Sequence, residues 1–290
     1  MWFNQLKTVI LLASMSGLLL LLGGYLGGAQ GITIALVLAL LMNFFSYFFS
    51  DKIVLNLYHA QELDQSQYSW IYDMVKELTQ KADLPMPKLW LINTPMANAF
   101  ATGRNPAHAS VAVTTGILNI LTRAELRGVL AHEISHVKNR DILISTVAAT
   151  LATAITYIAN MLRYMSFMQS SDNDRKNGSN VLVLILLAIL MPIAASLIQL
   201  AISRSREYLA DESGAETCHD PLALAAALEK LQTNTAAHHL DNQDTARAAT
   251  AHLFIVNPFT VQGLMALFST HPPVSQRIAR LRQLFENMQK

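Results

Sequence analysis

The chain has 290 residues, 52% of them hydrophobic and only 14% charged, against about 25% charged in a typical soluble domain. That deficit points to a membrane. A net charge of +1 with no block of like charges argues against nucleic acid as a partner. The single cysteine, Cys218, rules out an internal disulfide and fits a reducing compartment.

In chain order, two apolar segments come first, Val9 to Tyr25 and Ile32 to Phe49. Two more follow later, Ile142 to Leu162 and Val181 to Ile202. Crossing a bilayer core takes about 20 helical residues, and all four are near that length. The first also resembles a cleaved signal peptide, but a second apolar span follows at once and favours an anchor. The third is rich in Ala and Thr, which suits a helix packed against other helices. The third and fourth also fit a buried hairpin of a soluble core. Pro192 should bend the fourth.

Basic residues near the segment ends set orientation. Lys7, Lys52, Lys138, Arg140, Arg204 and Arg206 fall at ends that would share one side. The opposite side has an uncharged loop at Gly27–Gly31 and a second loop that carries Arg163, Arg175 and Lys176, partly balanced by Asp172 and Asp174, so the bias is modest. Both termini and the polar bulk are therefore expected in the cytoplasm. The resulting division is a membrane hairpin at 1–50, a first catalytic part at 51–141, a second hairpin at 142–202 and a second catalytic part at 203–290.

Within the first polar region, Gln61 to Ala82 reads as an amphipathic helix ended by Asp83 to Pro87. Lys88–Ile92 reads as a strand, with Asn98–Ala101 and Ser110–Thr114 as two more. Thr122 and Glu125 form a capping box that should open a helix from Ala124 to about Asn139. In the second region, the fourth apolar helix should run on through Asp211, with no breaker before Ser213-Gly214. Asp220-Pro221 should cap a helix to about Leu231, and Pro272-Pro273 should precede a last helix, Val274 to Met288. The expected fold class is mainly α with a small β-sheet.

His132-Glu133-Ile134-Ser135-His136 is an H-E-x-x-H motif inside the capped helix. Residues four apart share a helix face, so both imidazoles can reach one zinc ion. Glu133 lies beside the metal without being a ligand, placed to take a proton from a metal-activated water. A catalytic zinc needs a third protein ligand and an open position. Glu207, after the fourth apolar segment, is the candidate, with Asp211 one turn on to orient a ligand imidazole. From pattern alone, Glu207 and Asp211 fit equally well as a solvated charge pair with Arg204 or Arg206.

Four stretches carry a family resemblance. HEISH with Val137-Lys138-Asn139-Arg140-Asp141 resembles the H-E-x-x-H-V-x-x-x-D stretch of the M48 metallopeptidases. Residues 203–211 (SRSREYLAD) resemble that family's S-R-x-R-E-x-x-A-D. Residues 98–103 resemble its N-A-F-A-T-G, and residues 270–278 its T-H-P-x-x-x-x-R-I. The similarity covers nearly the whole chain and is strongest to bacterial heat-shock membrane proteases.

The resemblance implies a multi-pass protein of a bacterial inner membrane with a zincin-like domain, about four transmembrane helices and one Zn2+ per subunit. It implies Glu207 as third zinc ligand and Glu133 as general base and acid. It implies His271 across the metal as an oxyanion donor, although by sequence alone His271 reads as an ordinary loop histidine. Asn98, Ala99, Phe100 and Ala101 would form an edge strand for extended substrates. Arg277 would pair with an acidic group near the site. The remaining histidines read as structural or solvated, and 234–249 as a lid. Expected partners are the lipid bilayer and unfolded or membrane-protein polypeptides. Two rivals are an intramembrane-cleaving protease and a catalytically silent scaffold that keeps a structural zinc. HEISH lies in a polar, capped helix before an apolar span, which disfavours the first. A structural zinc usually takes four ligands, often cysteines, which disfavours the second.

Overall fold

The computed structural model describes residues 2–169, 204–237, 250, 253–256 and 272–289. The fourth apolar segment lies outside them, as do His271, His238, His239, His252 and all but the first residues of the expected lid.

The first helix, α1 (Trp2–Phe48), is two arms joined at Gly28, which adopts φ 56 and ψ −137, a conformation that favours glycine. The arms, Gln5–Tyr25 and Gly27–Phe48, are 21 and 22 residues long and apolar enough to cross a bilayer. They fold back on each other: a Cβ on Gly31 would strike the Gly23 carbonyl oxygen. Asn43 donates across the pair to Ser16 Oγ at 3.0 Å. Small residues and a cross-helix hydrogen bond suit helices that pack in lipid.

The chain then forms α2 (Ser50–Leu57), β1 (Gln61–Glu62), α3 (Ser69–Ala82), β2 (Lys88–Ile92) and β3 (Ala99–Gly103). A short 3-10 turn, Pro106–His108, leads to β4 (Ala109–Thr114) and α4 (Thr115–Ile120). The strands form one sheet in the order β1-β2-β4-β3. β2 runs parallel to β4, while β3 is antiparallel to it with Ala101 opposite Val111, so β3 is a sheet edge. The expected helix from Gln61 starts only at Ser69. Gln61 and Glu62 instead pair with Leu91 and Trp90, and Asp64 caps a turn by accepting from Ser66 N and Oγ. Asp83 ends α3 in the left-handed conformation.

α5 (Arg123–Lys138) opens on the expected capping box, with Thr122 accepting from Glu125 N and Thr122 N donating to Glu125 Oε2 at 2.7 Å. It is buried on nearly every side: Leu126, Val129, Leu130, Ala131, Ile134 and Val137 all face the core. Burying each Val, Leu or Ile side chain is worth about 1.5–3 kcal/mol. α6 (Ile142–Gln169) follows after a three-residue break, and its first part packs on the α1 hairpin through Val147, Ala148 and Leu151 against Leu11 and Met15.

α7 (Arg204–Cys218), α8 (Pro221–Ala237) and α9 (Val274–Met288) complete the described chain. Asp220 caps α8 by accepting from Ala223 N at 2.9 Å. α8 outruns its expected end at Leu231, so Asn234 sits on a helix, accepting from Ala97 N at 2.9 Å. α7 also passes through Gly214, where the sequence suggested a break. Gly214 is there for proximity: a Cβ would lie 2.8 Å from His132 N and 2.9 Å from His132 Cα. Leu63, Ile71, Leu130, Leu228 and Leu281 belong to one core, so the polar regions before and after α6 fold as one body.

Candidate metal centre

α5 carries His132 and His136 one turn apart, and α7 brings Glu207 to the same point. The Nε2 atoms of the two histidines are 3.2 Å apart. Glu207 Oε2 is 3.8 Å from His132 Nε2, and Oε1 is 3.7 Å from His136 Nε2. Two zinc–nitrogen bonds at a tetrahedral angle would hold their nitrogens about 3.3–3.4 Å apart. The donor set, two imidazoles and one carboxylate all within 4.8 Å of one another, fits a single such ion. Among the described residues these are three protein donors, the number that catalytic zinc sites use.

Each histidine has an acidic partner behind it. His132 Nδ1 lies 2.9 Å from Asp211 Oδ1, an ion-pair distance with poor hydrogen-bond alignment. His136 Nδ1 lies 3.1 and 3.2 Å from the two oxygens of Asp141. A carboxylate behind each ring selects the tautomer that presents Nε2 forward. Burial opposes charge on His136, but Asp141, Glu207 and Glu133 outweigh it and push the imidazole up to about 10 in the metal-free protein. Asp141 is a site residue that the sequence reading quoted without giving it a role. The signal was its position, five residues past the second histidine and just beyond the helix end.

Asp211 is itself held by Arg277, fully buried, whose Nε donates to Oδ2 at 2.7 Å and whose Nη2 donates to Oδ1 at 2.6 Å. Burial pushes the Asp211 carboxyl up, but Arg277 and His132 overcome this and hold it below its usual value. Glu207 and Asp211 are both buried, so the alternative of a solvated charge pair fails. Among the described residues, Arg206 finds no hydrogen-bond partner for its guanidinium nitrogens, and Arg204 is exposed. Burial pushes Arg206 down, while Asp141 and Glu207 act the other way.

Glu133 stands beside the donors, buried, and its Oε2 accepts from Ala101 N at 2.8 Å. Burial pushes its carboxyl up, against the pull of the two histidines and the Ala101 amide. Ala101 therefore turns its N–H away from β4, towards the metal donors. Phe100 and Ala101 line the cleft beside them, a cavity of only about 40 Å3. Asn98 and Ala99 stand further from it: Asn98 N donates to Thr114 Oγ1, and Ala99 is fully buried. The segment Leu253–Ile255 lines the same cleft. It is fastened by Ile255 N donating to Asn98 Oδ1 at 3.1 Å and by Ile255 O accepting from Arg277 Nη1 at 2.9 Å. The sequence reading did not single this segment out. Its apolar run, Leu253 to Val256, was the available signal.

The other described histidines stand apart from this centre. His108 pairs with Asn105 and Arg104, while His59 and His219 occupy left-handed turn positions.

Paired histidines on one helix, a distant glutamate and a buried glutamate beside them define the class of metal-dependent hydrolases of the H-E-x-x-H type. Residues 65–285 match peptidase family M48. The chain belongs to peptidase family M48 and is a metalloprotease. It is 51% identical over 291 residues to a protein named "Protease HtpX homolog" from Sulfurihydrogenibium sp., covering 99% of this chain and 98% of that one. A protein of the same name from Syntrophobacter fumaroxidans is 52% identical over 283 residues, covering 97% and 99%. Among solved structures, S. mikatae Ste24p superposes with a TM-score of 0.52 at 16% identity, covering 97% of this chain and 66% of that one. That likeness is one of fold. Zinc is the metal of this family, and the donor set here suits it.

Proposed function

We propose that the chain is a membrane-anchored zinc endopeptidase in which His132, His136 and Glu207 hold the metal and Glu133 is the general base. The observation that carries this reading is the convergence of three donors from two distant helices, with Glu133 buried beside them. When bound, zinc supplies a Lewis acid that polarises a carbonyl and makes water acidic near neutral pH.

The chain's own residues do the rest. Asp211 and Asp141 orient the two imidazoles. Glu133, its basicity raised by burial, takes a proton from the attacking water and returns it to the leaving amine. The Ala101 amide fixes the Glu133 carboxylate against β3, so a substrate strand laid along this edge would bring its carbonyl beside the base. Asn98, Ala99, Phe100 and Ala101 form that substrate strand in this reading. His271 is assigned, from the family resemblance, to the oxyanion of the tetrahedral intermediate, a role worth about 2.7–4 kcal/mol.

The reading extends to a zincin-like domain facing the cytoplasm, on about four membrane spans in a bacterial inner membrane. Its substrates would be misfolded or exposed segments of membrane proteins, in a quality-control role. The apolar arms of α1 and the basic residues at their ends support the membrane part.

The test compares purified wild type with Glu133→Gln on an unfolded protein substrate. The variant is expected to bind zinc and lose cleavage. Cutting at the wild-type rate would overturn the assignment.

A further inference from the structure

A cavity of about 520 Å3 lies where the α1 hairpin meets the catalytic fold, and it shares no wall with the metal donors. Phe44, Phe48 and Phe49 form one side of it, and Lys52, Lys88 and Arg104 line it from α2, the start of β2 and the turn after β3. Phe44 and Phe48 are 51% and 43% exposed, at the very end of a 22-residue apolar helix. Lys52 Nζ lies 5.4 Å from the Phe49 ring centre, and the Arg104 guanidinium lies 5.3 Å from that of Phe48. Arg104 is steadied by His108 Nε2 at 2.9 Å.

The charges here are not neutralised. Among the described residues, no carboxylate stands within ion-pair reach of Lys52, Lys88 or Arg104. Asp51 is the one acidic residue in the cavity wall. Aromatic rings at the end of an apolar helix belong at the headgroup level of a bilayer. Basic residues at that level attract anionic lipid. The aromatic wall continues the apolar surface of α1, so an occupant must touch the bilayer and the basic residues together. A soluble acidic peptide or a free anion meets only one of these conditions.

We propose that this cavity binds an anionic phospholipid, with its phosphate between Lys52, Lys88 and Arg104 and its acyl chain along Phe44, Phe48 and Phe49. An arginine fork and two ammonium groups match a phosphodiester, which accepts several charge-assisted hydrogen bonds. The inference rests on the reading that α1 lies in a bilayer.

The test uses the full chain, purified in neutral detergent, with native mass spectrometry to follow added phosphatidylglycerol or phosphatidylcholine of the same chain length. Wild type should retain phosphatidylglycerol at least tenfold better. The combined variant Lys52→Gln, Lys88→Gln, Arg104→Gln should weaken that retention on the order of 100-fold, leaving phosphatidylcholine unchanged. Lys52 and Lys88 are exposed, so the single variants Lys52→Gln and Lys88→Gln should fold normally, and each should show part of the loss. A control, Lys76→Gln with Lys81→Gln, should keep the preference. Equal retention of the two lipids by wild type, or undiminished retention by the combined variant, would overturn the proposal. So would inorganic phosphate binding as tightly as the lipid, or an acidic peptide whose binding alone depends on the three cations. Because the readout is lipid retention, its outcome is separate from that of Glu133→Gln on cleavage.

Discussion

Arg277 holds Asp211 in a two-point clasp, and the same guanidinium donates through Nη1 to the carbonyl of Ile255. One side chain on α9 thus fixes both the carboxylate behind His132 and a segment that lines the cleft. Removing one partner of a buried pair strands the other, at a cost of about 3–5 kcal/mol. Arg277→Met should lower the thermal midpoint accordingly. Arg277→Lys keeps the charge but loses the fork, so it should recover only part of the loss. A midpoint unchanged by Arg277→Met would mean that the clasp contributes nothing to the fold.

Asp141 should matter to the metal more than to the fold. Loss of a carboxylate behind a ligand imidazole lowers metal affinity about 10–100-fold in comparable sites. Asp141→Asn should therefore weaken zinc binding by that factor, measured by competition with a chromogenic chelator. Glu207→Ala, which removes a proposed ligand, should weaken it further. Equal zinc affinity in wild type and Glu207→Ala would remove Glu207 from the ligand set.

Gly214 sets the spacing between the two helices that carry the donors. A methyl group there would press on His132 N and Cα, and backbone cannot swing aside as a side chain end can. Gly214→Ala should cost about 1–3 kcal/mol, as overpacking does, and should lower zinc affinity by pushing α7 and Glu207 away. Gly17→Ala is the comparison, since a Cβ there meets nothing within 4 Å. That change should be neutral or slightly stabilising in a helix. If both glycines tolerate alanine equally, close approach is not what Gly214 provides.

The capping box gives a pH dependence. Burial pushes the Glu125 carboxyl up, but Lys230 at 2.7 Å and the Thr122 backbone and hydroxyl outweigh it, so it titrates below its usual value. A carboxyl depressed on folding adds stability above its unfolded value and loses it as pH falls through the folded one. Lys230 is 43% exposed, so screening keeps this contribution small. Glu125→Gln should flatten the acid limb of stability below about pH 4.5. Thr122→Ala should cost about 1 kcal/mol at neutral pH, where the cap itself is lost. Parallel acid limbs for wild type and Glu125→Gln would exclude this source.

Much of the centre was legible because its determinants are local. The capping box and the HEISH spacing lie within one helix, and α5 begins within a residue of its expected start. β2 and α9 likewise carry their patterns within themselves. What was not legible depends on distant partners. Gln61 and Glu62 fit a helix by periodicity but are drawn into a strand by Trp90 and Leu91. Gly214 looks like a helix breaker until the backbone of His132 is set against it. The Asp141 contact needs the chain to turn at Arg140, whose φ of 54 no helical pattern announces. Leu253–Ile255 is an unremarkable apolar run until Asn98 and Arg277 fasten it over the cleft.

That fastening makes access to the site a competition. The cleft beside Glu133 measures about 40 Å3, with Leu253–Ile255 in its wall, so a peptide strand that came to Glu133 as proposed would compete with that segment for the space. The free energy of that displacement would be subtracted from the substrate's binding, at tenfold in apparent affinity for each 1.4 kcal/mol or so. On the proposed reading, a long unfolded segment lying along β3 would meet that cost more readily than the short strands a folded neighbour offers. Discrimination of this kind would need no sequence preference: the rival each candidate had to outbind would be the protein's own chain.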